Sequence, residues 1–144
     1  MLTIYTDGGS RGNPGPASIG GIVFDDENNE IYLFKKAIGV GTNNEAEYRA
    51  IIEALGWAAK HCKSNEVAKI HCKLDSKLVV EQLCGRYKIK TPHISDLVME
   101  VRGLLNQIDG EVSFTHIPRE QNKRADALVN EALDAIDTNG ELNE

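Results

Sequence analysis

The sequence has no cysteine pairing to build on. Cys62, Cys72 and Cys84 are odd in number and none stands in a CxxC spacing, which argues against a disulfide framework or a zinc site and fits reduced thiols. A basic excess is also missing, with 16 Lys and Arg against 22 Asp and Glu and a formal charge of -6. That balance excludes a broad cationic surface, so contact with nucleic acid would have to rest on a local patch. No apolar run approaches the roughly 20 residues that span a bilayer. Met1 leads straight into a β-rich run with none of the pattern of a signal peptide. These absences predict a cytoplasmic protein without a membrane partner, with a monomer as the default expectation. No linker or repeat interrupts the chain. At 144 residues and 41% hydrophobic it is expected to form one domain over residues 1–136. An acidic tail, residues 137–144, loses apolar periodicity and is expected to fray.

What is present is a regular succession of elements. Leu2–Thr6, Ala17–Phe24 and Glu30–Val40 read as three strands, with Asp25–Asn29 as a polar hairpin turn between the last two. Thr42-Asn43-Asn44-Glu45 has capping-box spacing, and Glu47, Ala50, Ile51, Ala54, Leu55 and Ala58 follow on one helical stripe. A strand from Val67 to Leu74 comes next, then a helix over Ser76–Leu83 stopped by Gly85. Pro92 precedes a second amphipathic helix, Val112–Ile117 is a fifth strand, and Asn122 can cap a last helix reaching Ile136. The order βββ-α-β-αα-β-α predicts an α/β fold with a mixed sheet, in which an antiparallel unit joins strands reached by helical crossovers.

Four carboxylates stand where this order would bring them together. Asp7 closes the first apolar run and opens a glycine-rich turn, and Asp75 closes the strand ending at Leu74. Glu47 and Asp126 fall in the expected first turns of two helices. An acid in a first turn is explained by the helix dipole, worth about 0.3–1 kcal/mol. The dipole does not explain why Glu47 shares the apolar stripe, where a lone carboxylate is costly to desolvate. Asp126 likewise borders the face marked by Val129 and Leu133. Four converging acids repel one another unless cations lie between them, and oxygen-only donors suit Mg²⁺ or Mn²⁺.

The segments around these acids carry a resemblance. Thr6-Asp7-Gly8-Gly9-Ser10 with Gly12-Asn13-Pro14-Gly15-Pro16, Thr42-Asn43-Asn44-Glu45-Ala46-Glu47, Leu74-Asp75-Ser76, and His116 through Asp126 resemble type 1 ribonuclease H, in order and nearly over the whole chain. The resemblance implies a ribonuclease-H-like fold of five strands, three antiparallel then two parallel, flanked by helices. It implies an endonuclease that hydrolyses the RNA strand of RNA–DNA hybrids and leaves 5′-phosphate and 3′-hydroxyl ends. Two Mg²⁺ ions per site are implied, with Mn²⁺ as a substitute, Asp7 bridging them, Glu47 and Asp75 completing one and Asp126 the other. His116 corresponds to a mobile histidine that assists turnover. Asn13, Asn43 and Asn44 are implied to contact the hybrid, and Thr42 to help hold a DNA phosphate.

One departure is visible. Bacterial relatives carry a lysine-rich protrusion before the second long helix, whereas here only Gly85-Arg86-Tyr87-Lys88-Ile89-Lys90-Thr91-Pro92 fills that place. A compact form is expected, with Arg86, Lys88 and Lys90 as a modest substitute handle. Arg11, Lys123 and Arg124 are further candidates for phosphate contact. The glycine-rich segment lacks the Lys-Ser/Thr of a nucleotide-phosphate loop. Two rival readings are a DNA nuclease of the same superfold and a non-catalytic hybrid binder. The asparagine set argues against the first, and the retained acids against the second.

Overall fold

The computed structural model describes residues 1–64 and 69–143. Five strands and four helices follow in the expected order: β1 (Leu2–Ser10), β2 (Gly15–Phe24), β3 (Glu30–Gly41), α1 (Asn43–Ser64), β4 (Lys69–Leu74), α2 (Lys77–Leu83), α3 (Pro92–Asn106), β5 (Glu111–His116) and α4 (Lys123–Asn143). A 3-10 turn, Arg119–Gln121, separates β5 from α4. Val67 and Ala68, read as the start of a strand, lie outside the described residues. The sheet order is β3-β2-β1-β4-β5. β1, β2 and β3 pair antiparallel, while β1–β4 and β4–β5 pair parallel. The mixed sheet is therefore as expected.

Helix α1 begins with the capping box. The Glu45 amide donates to Thr42 Oγ1 at 3.1 Å, and the Thr42 amide donates back to Glu45 Oε1 at 3.4 Å. Ala50, Ile51, Ala54, Leu55 and Ala58 are buried against Leu2, Ile4, Ile19, Val23 and Leu74 of the sheet, and α3 adds Leu97, Val98 and Val101 to the same core. Helix α4 covers the opposite face. It comes so close to β2 that a Cβ on Gly20 would sit 2.7 Å from the Leu128 Cβ. Ser18 Oγ donates to the Val129 carbonyl at 2.6 Å, tying strand to helix. The α4 backbone runs past Ile136, where the apolar stripe ends, to Asn143.

Two expectations about the acids need correction. Asp7 does not end β1, because Gly8, Gly9 and Ser10 continue it, paired with Ile19, Ser18 and Ala17 of β2. Only the parallel half of the pairing stops early, at Tyr5↔Lys73. Asp7 thus stands past the end of the β1–β4 pair, at the carboxyl edge where open α/β sheets place their sites. Glu47 is not in the first turn of α1 either. Asn43 opens the helix, Glu45 is its first-turn acid, and Glu47 stands one step further along.

Candidate active site

The carboxyl edge of the parallel strands and the starts of α1 and α4 enclose one cavity of about 440 Å³. All four predicted acids line it, together with Gly8, Asn43, Arg119 and Asn130 among others. Oxygens of Asp7, Glu47 and Asp75 lie within 4.8 Å of one another, and Asp126 faces the same cavity from outside that group. Asp7 and Glu47 are buried, 7% and 6% exposed, although both are ionisable. The Gly8 amide donates to Glu47 Oε1 at 3.3 Å, while Glu47 Oε2 is buried with no hydrogen-bond partner. An orphaned carboxylate oxygen in an all-oxygen cluster fits a hard divalent cation. The donor set passes that test.

Metal-free, the cluster is electrostatically frustrated. Burial pushes the Asp7 carboxyl up from its ordinary value of 3.8 to about 6, and the Asp75 and Asp126 charges push the same way, partly offset by hydrogen bonding from Glu47 and Gly8. Glu47 is raised well above its ordinary value, first by burial and then by the Asp7 charge. A group whose pKa is raised by folding stabilises the fold below its unfolded value, and that contribution disappears as pH rises through the folded value. Metal-free protein should therefore lose stability as pH rises from about 4 through about 6, as Asp7 ionises beside Glu47. Chemical denaturation in chelator across this range checks the slope, which Asp7→Asn should flatten and Mg²⁺ should offset.

The remaining predicted residues divide into two groups. Asn13, Thr42, Asn43 and Asn44 line a second cleft of about 530 Å³, with Glu45, Thr91, His93 and Ile94, and Asn43 borders both cavities. Asn13 Oδ1 accepts from the Asn43 amide at 2.9 Å, and Asn43 Oδ1 accepts from the Ser10 amide at 2.8 Å. The end of β1 and the β1–β2 turn are thereby locked to the start of α1. His116, by contrast, is exposed at the end of β5, in register with Leu74 and lining neither cavity. Lys88 and Lys90 are exposed and also outside both linings.

Three of the other basic candidates are engaged by acids. Arg86 Nε lies 2.7 Å from Glu81, Arg124 Nη1 2.6 Å from Glu30, and Arg11 Nη2 2.6 Å from Asp134. Three further residues escaped the sequence reading. Arg119 lines the acidic cavity, with Nη2 3.7 Å from Asp126 Oδ1. His93 had no evident context, yet its Nε2 lies 3.0 Å from Glu45 Oε2 in the second cleft. Asn122, read as a cap, turns its buried amide onto Thr6 and Asp75. Its spacing of one helical turn before Asp126 was the available signal.

A mixed five-stranded sheet with carboxylates gathered past the end of the β1–β4 pair and near the starts of α1 and α4 defines a ribonuclease-H-like domain. Residues 5–132 match the family model described as reverse transcriptase-like. The bifunctional protein of Mycobacterium tuberculosis is 42% identical over 135 residues, which are 93% of this chain and 36% of that protein. Ribonuclease HI of Halobacterium salinarum is also 42% identical, over 90% of this chain and 63% of its own length. This chain thus spans about a third of the first of these relatives and under two thirds of the second. Among solved structures, LC11-RNase H1 in complex with an RNA/DNA hybrid superposes with a TM-score of 0.90 at 40% identity, covering 94% of this chain and 99% of that one. The chain belongs to the reverse transcriptase-like family and, within it, to the type 1 ribonucleases H. That family is divalent-metal dependent.

Proposed function

We propose that this chain hydrolyses the RNA strand of RNA–DNA hybrids, with Mg²⁺ as the ion and Mn²⁺ as a substitute, leaving 5′-phosphate and 3′-hydroxyl ends. The observation that carries the proposal is the cluster of four acids around one cavity, with a buried Glu47 oxygen that has no partner. Asp7, Glu47, Asp75 and Asp126 would hold the metal. When bound, two divalent ions would activate the attacking water and stabilise the departing 3′ oxygen.

The chain's own groups do the rest. Asn13, Asn43 and Asn44 can donate to and accept from sugar hydroxyls and base edges in the shallow minor groove of a hybrid. Thr42, at the positive end of the α1 dipole, is suited to a phosphate of the DNA strand. His116, exposed at the end of β5, would assist departure of the product. Lys88 and Lys90 remain the proposed outer phosphate handle, since Arg86 between Gly85 and Tyr87 is tied to Glu81. A monomer in the cytoplasm completes the proposal, supported by three free thiols. No helix among the described residues is long and apolar enough to cross a membrane.

Recognition through 2′-hydroxyls makes a sharp test. Replacing the ribonucleotides around the cut with 2′-deoxy sugars should abolish cleavage at that position. Undiminished cutting there would point to the DNA-nuclease reading.

A further inference from the structure

We infer that Asn122 is a positioning residue that holds Asp75, and with it the metal-ligand cluster, in register. This inference rests on the metal-binding reading of the four acids. Asn122 is 1% exposed and begins the segment that leads into α4. Its Nδ2 donates to the Thr6 carbonyl at 2.9 Å and to Asp75 Oδ2 at 3.3 Å. Its own carbonyl accepts from the Asp126 amide at 3.1 Å. One side chain and its backbone therefore join the residue before Asp7, the carboxylate of Asp75, and the start of the turn that carries Asp126.

The orientation of the amide is fixed by chemistry. Both partners of the nitrogen are acceptors, so a flipped amide would set oxygen against oxygen. Asn122 Oδ1 is left buried with no partner. A buried acceptor without a donor is costly, and an aliphatic side chain of similar size would avoid that cost. Packing alone thus does not account for asparagine here. A donor that orients a metal-ligating carboxylate does, because such outer partners set ligand direction and commonly change metal affinity by roughly 10- to 100-fold when removed.

The test measures divalent-ion binding by calorimetry on the intact chain, beside kcat and KM on hybrid. Asn122→Ala and the near-isosteric Asn122→Leu should each fold, weaken Mg²⁺ or Mn²⁺ binding by roughly 10-fold or more, and lower kcat more than they raise KM. In an Asp75→Asn background the same substitutions should change ion affinity little, because the group through which Asn122 acts has already been altered. Folded variants that bind ions like the wild type would overturn the inference, as would an equal loss in the Asp75→Asn background. Failure of both variants to fold would make Asn122 a structural residue and overturn it too. Should the wild-type chain bind no divalent ion, the metal reading itself fails, which is a different result from variants that match a binding wild type.

Discussion

Asp7→Asn is expected to reduce hybrid cleavage by several orders of magnitude while leaving the fold intact. Oxygens of Asp7, Glu47 and Asp75 lie within 4.8 Å of one another, and the Asp7 charge acts on the buried Glu47, so its loss alters the charge that would hold the ion. The substitution keeps the size of the side chain, so the packing around Gly8 and the start of α1 should not move. Removing a buried carboxylate whose pKa is raised to about 6 should make the metal-free protein more stable at neutral pH, not less. Loss of activity with a gain in metal-free stability is a combination that mere misfolding cannot produce. Activity within tenfold of the wild type, with an unchanged ion titration, would remove Asp7 from the site.

Gly8→Ala should be the most damaging single-methyl change at the site. A Cβ on Gly8 would overlap the backbone carbonyl of Ala46 and crowd the Glu47 amide. Helix α1 crosses β1 at this point with no room for a side chain, and backbone cannot rotate away as a flexible side chain would. Overpacking of this kind costs roughly 3 kcal/mol, enough to lower the melting temperature of a domain this size by roughly 10 °C. The only relief is to push α1 outward, which carries Glu47 away from Asp7 and breaks its bond to the Gly8 amide. Activity should fall with stability. A variant that melts like the wild type and cuts hybrid at the wild-type rate would mean that the contact is looser than described.

Much of this arrangement was legible in the sequence because it is carried by local patterns. The capping box at Thr42–Glu45, the stripe that includes Glu47, and the polar turn at Asp25–Asn29 each depend on neighbours within a few residues. The extent of β1 was not legible, since Gly8-Gly9-Ser10 has the composition of a turn. Gly8 serves the close approach of α1 instead, a reason that exists only once the helix is docked. The direction of the Asn122 amide was hidden in the same way, its partners Thr6 and Asp75 being 116 and 47 residues distant. The pairing of the basic residues was hidden for a related reason. Arg11 and Arg124 meet acids 123 and 94 residues away, and a count of charges along the chain cannot show which cations are already engaged.

The central claim is tested most directly by offering one labelled sequence as RNA–DNA hybrid, duplex RNA and duplex DNA, with Mg²⁺ and with chelator. The account predicts cutting of the RNA strand of the hybrid alone, only when the ion is present, with 5′-phosphate and 3′-hydroxyl ends. Comparable cutting of duplex DNA, or undiminished cutting of the hybrid in chelator, would contradict it.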